Sequence, residues 1–227
     1  MKVSLIRVTQ APEELAGSAA AMCYNGRNPI KSLQTAMKNG HVSVTEHAAF
    51  TFKVEGVSRA LLAQLTRHRL ASFSVQSQRY VAYTEGFEYV TPPRIKELGV
   101  EAEKRYKAQM ATMARWYAGW LDELGKGGAE DARFVLPNGC CTTLIVTMNA
   151  RELMHFFELR CCARAQWEIR EMARRMALAV KEQAPVMFEK AGAYCVQHGY
   201  CPEGANSCGK APTLDKLLRG YRGKETD

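Results

Sequence analysis

Between residues 48 and 54 the chain alternates, with Phe50, Phe52 and Val54 on one side and Thr51 and Lys53 on the other. A period of two marks a strand with one face on a core. The period then changes. Ser58 to His68 is helix-like, with the run Ala60-Leu61-Leu62-Ala63-Gln64-Leu65 facing the protein body, and it delivers Arg67-His68-Arg69. The basic triplet is expected at the end of this helix, where cations complement the helix dipole.

Leu70 to Tyr80 mixes small, polar and aromatic residues and is expected to be a shaped loop. From Arg67 to Tyr80 many side chains donate hydrogen bonds and none is acidic. Arg offers a planar fork for phosphate oxygens, so the stretch points to a phosphate- or nucleotide-binding surface. A bare basic triplet is ordinarily a solvated face. The longer pattern sets this one apart: Arg-His-Arg, seven residues, Ser77, one residue, then Arg79-Tyr80.

Met1 to Val8 reads as a strand and Pro12 to Tyr24 as a helix. Asn28 and Pro29 have the chemistry of N-cap and N1 for a second helix to Lys38, closed by Gly40. Thr84-Glu85-Gly86 is a turn. Phe87 to Val90 is a short strand ending at Pro92-Pro93. Glu101 to Leu124 is a long helix with Tyr106, Met110, Met113, Tyr117 and Leu121 on a core or subunit-facing stripe. Gly125 to Gly128 breaks it, and Glu130 to Leu136 is a short helix carrying Arg133. Pro137 to Gly139 turns into a β-rich run, Thr142 to Met148. Asn149 caps the next helix, with Glu152 at the capping-box position. Leu153, Phe156, Phe157 and Arg160 share one face of that helix. Arg160 thus ends an apolar stripe, and two readings stand: a cation complementing the helix end, or a partner for a bound anion. The last long helix opens at Ala165-Gln166-Trp167 and runs through Gln183.

These elements describe an α+β fold, an antiparallel sheet with long helices packed on it. Residues 1–192 are expected to form one domain and 193–227 a cysteine-containing tail. Cys195, His198, Cys201 and Cys208 do not have the spacing of a standard zinc finger, so a loosely packed tail of free thiols is expected before a zinc site. Residues after Lys216 are expected to be mobile. His41, Glu46 and His47 match no helical metal motif, and no metal is assigned.

The formal charge is +8, but the basic residues are dispersed and form no nucleic-acid motif. Anionic cofactors and substrates fit better than nucleic acid or a membrane surface. No run of 18 apolar residues is present, and the N-terminus is too short and alternating for a signal peptide. Eight cysteines, with adjacent pairs at 140–141 and 161–162, do not suggest a disulfide framework. A cytoplasmic location is expected.

The pattern from Arg67 to Tyr80 resembles the signature of the flavin-dependent thymidylate synthases. The resemblance extends over most of residues 17 to 190, through Ala-Arg-x-x-Leu-Pro, Asn-Ala-Arg-Glu-Leu-x-His-Phe, Leu-Arg and Ala-Gln-Trp-Glu-Ile-Arg in the family's order. It implies the fold of the thymidylate synthase-complementing proteins, a homotetramer with active sites shared between subunits. It implies reductive methylation of dUMP to dTMP, with methylenetetrahydrofolate giving the carbon, FAD carrying the hydride and NADPH reducing the flavin. The absence of Gly-x-Gly-x-x-Gly argues against a Rossmann unit for the flavin.

By the same resemblance, flavin contacts fall on Cys23, His41, Ser43, Arg67, His68, Arg69, Val75, Asn149, Ala150, Arg151 and His155. Substrate contacts fall on Gln64, Leu65, Thr66, Arg67, Val75, Gln76, Ser77, Gln78, Arg79, Arg133 and Arg160, with Arg160 the catalytic residue. Two departures stand out. Ser74-Val75 replaces a common Asn-Glu, which removes a polar contact, and Thr143 stands where some members have Arg. These departures motivate a rival reading, methylation of UMP or a related uracil nucleotide. The charge motivates another, a basic RNA-binding protein without enzyme activity.

Overall fold

The computed structural model describes residues 1–213. In chain order the elements are β1 (Lys2–Val8), α1 (Pro12–Tyr24), α2 (Pro29–Lys38), β2 (Ala49–Ser58), α3 (Arg59–Leu65), β3 (Ala71–Val75), α4 (Pro93–Glu97), α5 (Val100–Leu124), α6 (Ala129–Ala132), β4 (Cys141–Asn149), α7 (Ala150–Arg160), α8 (Trp167–Gln183) and α9 (Tyr194–His198). Short 3-10 segments occupy Val42–His47, Arg133–Val135 and Gly204–Asn206. The strands form one antiparallel sheet in the order β1-β2-β4-β3, so the fold is α+β as expected.

Several boundaries differ from the sequence reading. Helix α3 ends at Leu65, and Ser58 lies outside it as N-cap, its hydroxyl accepting from the Leu61 amide at 3.0 Å. The basic triplet therefore follows the helix instead of closing it. The expected loop begins with a strand, β3, whose β-branched and aromatic residues pair into the sheet edge. Phe87–Val90 shrinks to one bridge, Tyr89 to Cys140. The helix expected over Glu130–Leu136 divides into α6 and the 3-10 turn at Arg133–Val135.

The chain divides into two compact units, with every boundary inside a strand except the one between Arg67 and His68. One comprises Val3–Phe52, His68–Ser72 and the chain from Val146 on. Its core is aromatic and methionine-rich. Phe50 meets Phe188 edge-on at 5.2 Å, and Phe188, Phe157 and Phe156 continue the cluster at 6.2 and 5.8 Å. Helix α8 adds Ile169, Met172, Met176 and Val180, all fully buried. Each large apolar side chain contributes about 1.5–3 kcal/mol when removed from water. Helices α1 and α2 approach so closely that a Cβ on Gly17 would lie 2.3 Å from the Pro29 carbonyl oxygen. The Glu13 carboxylate accepts from the amides of Val186 and Met187 at 2.6 and 3.0 Å, tying α1 to the chain after α8.

The described part of the tail, residues 193–213, is better packed than expected. Gln197 donates to the carbonyls of Met154 and Gly192, at 2.8 and 2.9 Å. The Tyr194 and Tyr200 hydroxyls lie 2.6 Å apart, and Cys201 is buried. All eight cysteines are free thiols. Among the described residues no three His, Cys, Asp or Glu side chains gather as a metal site. The stretch after Lys216 lies outside the described residues.

The other unit comprises Met1–Lys2, Lys53–Arg67 and Phe73–Ile145. Helix α5 buries Met110 and Tyr117 from the expected stripe. Tyr106 donates to the Val90 carbonyl at 3.1 Å. No helix among the described residues is long and apolar enough to cross a membrane.

Candidate active site

The residues singled out by sequence fall into two groups, one in each unit. In the unit that holds the aromatic core, the 3-10 segment at Val42–His47 packs against α1 and α7. Its Val44 and Thr45 are buried, while His41, Ser43, Glu46 and His47 are exposed. Cys23, near the end of α1, is also exposed. Asn149 caps α7, its side chain accepting from the Glu152 amide at 2.9 Å. Ala150 turns its methyl into the core and donates its amide to the Ala48 carbonyl at 2.8 Å. Arg151 is exposed and paired with Glu46, which joins the start of α7 to the 41–47 segment. His155 is exposed on the same helix.

The triplet alternates: Arg67 and Arg69 are exposed, and His68 is 5% exposed. His68 packs edge-on against Phe156 at 5.0 Å. Its Nδ1 lies 3.1 Å from Glu152 Oε1, and its Nε2 lies 3.1 Å from Arg160 Nε. A guanidinium only donates, so Nε2 accepts and Nδ1 carries the proton given to Glu152. Glu152, 5% exposed, stands where a capping box would turn it toward Asn149. Its carboxylate reaches His68 instead, so the expected box is only half made.

Burial depresses the His68 pKa most strongly. The Glu152 hydrogen bond and charge oppose that, and the positive charge of Arg160 adds to the lowering. The unfolded chain thus binds a proton here more readily than the folded one. The stability owed to neutral His68 is fully present above the ordinary imidazole value near 6.5 and is lost as pH falls through the lower folded value. Thermal melts across this window are expected to show falling Tm on the acid side, with a shallower slope in His68→Gln. An unchanged slope in that variant would assign the acid sensitivity elsewhere.

Arg160 also lines a cavity of about 1020 Å3 formed by the ends of α7 and α8 and the segment around α9. Arg164, Arg174, Lys181 and Lys210 line it too, against Glu158 and Glu203, so its charge is positive. Sequence reasoning missed Arg174 and Lys181, because a helical cation lining a cavity has the same spacing as a solvated one. Arg170 donates to the Ala163 carbonyl at 2.5 Å.

The second group lies in the other unit. Leu65 is fully buried, so its side chain belongs to the core; the Thr66 hydroxyl donates to the Leu62 carbonyl at 3.1 Å. Gln64 is half-buried on α3 and Val75 is half-buried at the end of β3. The Gln76 amide donates to the Thr143 carbonyl at 2.9 Å, and Arg59 donates to the Gln76 carbonyl at 2.7 Å. Thr143 therefore anchors this loop through its backbone, whatever its side chain. The Ser77 hydroxyl accepts from the Arg79 amide at 3.1 Å, closing a tight turn, with Gln78 half-buried between them. Arg79 pairs with Glu130 at 2.8 Å, and Arg133 donates through Nε to the Glu130 carbonyl at 2.9 Å. Glu130 thus gathers two cations that are far apart in sequence. The Arg79–Glu130 pair is about half exposed, and such pairs contribute little to stability, so an incoming anion can compete for Arg79.

Fold and site together define an α+β protein with exposed Arg, His and Ser donors, suited to phosphorylated ligands, and an Arg held by a buried imidazole. A family model described as Thymidylate synthase complementing protein matches residues 4–186. A flavin-dependent thymidylate synthase of Clostridium tetani is 44% identical, over 96% of each chain. The one from Geobacter sulfurreducens is 46% identical, over 96% of this chain and 98% of the relative. A flavin-dependent thymidylate synthase of Helicobacter pylori, solved in complex with FAD and dUMP, superposes with a TM-score of 0.68 at 25% identity, covering 85% of this chain and all of that one. The chain belongs to the thymidylate synthase complementing family, the flavin-dependent thymidylate synthases.

Proposed function

We propose that this protein methylates dUMP reductively to dTMP, with FAD as bound cofactor and methylenetetrahydrofolate and NADPH as co-substrates. The observation that carries the reading is family membership joined to Arg160, partly buried at the end of the apolar face of α7 and lining a positive cavity. The relative solved with FAD and dUMP supports both ligands. The working protein is a cytoplasmic homotetramer with sites shared between subunits.

The donor set fits a flavin dinucleotide. Arg69, Arg151, His41, Ser43 and His155 are exposed donors without a Rossmann glycine loop, and Arg suits a pyrophosphate. Cys23, Asn149 and the backbone at Ala150 join that set, with Arg67 and Val75 shared between flavin and nucleotide; His68, which the resemblance also assigns to the flavin, is 5% exposed with both ring nitrogens bonded, to Glu152 and Arg160. Bound FAD supplies hydride chemistry that amino-acid side chains lack. The chain orients and polarises. Gln76, Ser77, Gln78 and Arg79, with Arg133, hold the nucleotide, its phosphate taking Arg79 from Glu130. Gln64, Leu65 and Thr66 border it, Leu65 through its backbone. The Arg160 guanidinium favours the uracil ring deprotonated at N3, which activates the ring toward the methylene carbon. Ser77 positions the nucleotide, its hydroxyl engaged in the turn.

Purified protein is expected to be yellow or to take up FAD one to one by calorimetry, and to convert dUMP to dTMP with folate and NADPH. Folded protein that binds no FAD would overturn the reading. Faster turnover of UMP than dUMP would favour the rival substrate that Val75 and Thr143 raise.

A further inference from the structure

We propose that Glu152 and His68 are positioning residues that hold the Arg160 guanidinium in its working orientation, through a buried chain running Glu152 Oε1, His68 Nδ1–H, His68 Nε2, Arg160 Nε–H. The inference rests on Arg160 being the group that faces the substrate. Two observations carry it. The two hydrogen bonds are each 3.1 Å, and the middle and far members are both 5% exposed. Glu152 also leaves its capping position to make the chain.

The chemistry follows from the tautomer. Nε carries one of the five guanidinium N–H groups, and the two Nη atoms carry the other four. Tying Nε to a ring that is itself fixed sets the plane in which the Nη donors lie. An Arg side chain otherwise carries substantial rotamer freedom. Phe156, 5.0 Å from the imidazole, holds the ring edge-on, and Glu152 prevents the ring from flipping its donor and acceptor. The fixed plane matters because the deprotonated uracil edge is stabilised only by donors already aimed at it.

The chain also responds to pH. Protonated His68 would set an N–H against the Arg160 N–H and release the guanidinium. The titratable and charged groups acting on the ring are Glu152, Arg160 and His155, all on α7, with the His155 ring 5.9 Å away. Glu152 favours the protonated ring, Arg160 and His155 the neutral one.

The test has two arms. In FAD-loaded enzyme, Glu152→Ala is expected to slow single-turnover dTMP formation roughly ten- to a hundred-fold, the loss typical of a misplaced group. FAD absorbance and flavin reduction by NADPH should be unchanged, and Glu152→Gln, which keeps an acceptor, should restore most of the rate. In an Arg160→Ala background, Glu152→Ala should cost nothing further. Multiplying losses, or a lowered Tm with an unchanged rate, would reduce Glu152 to a structural group. The second arm needs no substrate. Nitrogen-15 spectra of histidine-labelled protein should show His68 protonated on Nδ1 at neutral pH, with a titration that moves up in Arg160→Ala. Protonation on Nε2, or a titration indifferent to Arg160, would overturn the chain of bonds. Because this arm reads the ring directly, its failure breaks the chain of bonds whether or not wild type makes dTMP, whereas a wild type that makes no dTMP overturns the functional reading instead.

Discussion

In single turnover at saturating dUMP, Arg160→Ala forms dTMP roughly a hundred-fold or more slowly than wild type, while FAD remains bound and NADPH still reduces it. The magnitude is that of one lost preorganised electrostatic contact, about 3 kcal/mol. The loss falls on the chemical step because the uracil ring carries its negative charge only when activated. Lys in this position keeps the charge but lacks an Nε–H for His68 and the planar fork, so Arg160→Lys retains part of the activity. The helix dipole accounts for a cation at the end of α7, but not for one on the face that buries Leu153, Phe156 and Phe157. Near-wild-type dTMP formation in Arg160→Ala would remove the residue from the mechanism.

Phe156→Ala is expected to destabilise the protein by about 3–5 kcal/mol, the range for emptying a buried aromatic site. Phe156 is fully buried and touches both the core, through Phe157, and the site, through His68. Phe156→Leu fills most of the volume and should recover much of the stability. Neither the edge-on contact nor the orientation of the imidazole is recovered by Leu, so dTMP formation in that variant stays below wild type under conditions where it is folded. Denaturant unfolding measures the first effect, and single-turnover kinetics on the folded fraction measures the second. An alanine variant as stable as wild type would show that the cluster relaxes into the space.

Local periodicity carried much of the fold. The start of α1 and both bounds of α2 follow from Pro12, Asn28, Pro29 and Gly40, because capping is decided by neighbours within one helical turn. Phe50, Phe52 and Val54 are fully buried as their alternation requires. Where the reading erred, a distant partner decided. Ala71–Val75 is strand because an edge of β4 was there to pair with it, which a local mixture of small and aromatic residues does not disclose. Phe87–Val90 has strand composition, yet keeps a single bridge.

The same division runs through the site. The residue types and their spacing marked the basic triplet, the loop through Arg79 and the Arg at the end of α7. Spacing did not reveal that the triplet splits, with its two arginines exposed and its histidine buried. Nor did it reveal that Glu130 gathers Arg79 and Arg133, or that Glu152 leaves its cap for His68. The Arg79–Glu130 and His68–Glu152 pairings join residues 51 and 84 positions apart. A propensity acts within a turn of its own residue, whereas a buried carboxylate takes whichever donor packing brings within hydrogen-bond distance, and only the tertiary structure decides which one that is.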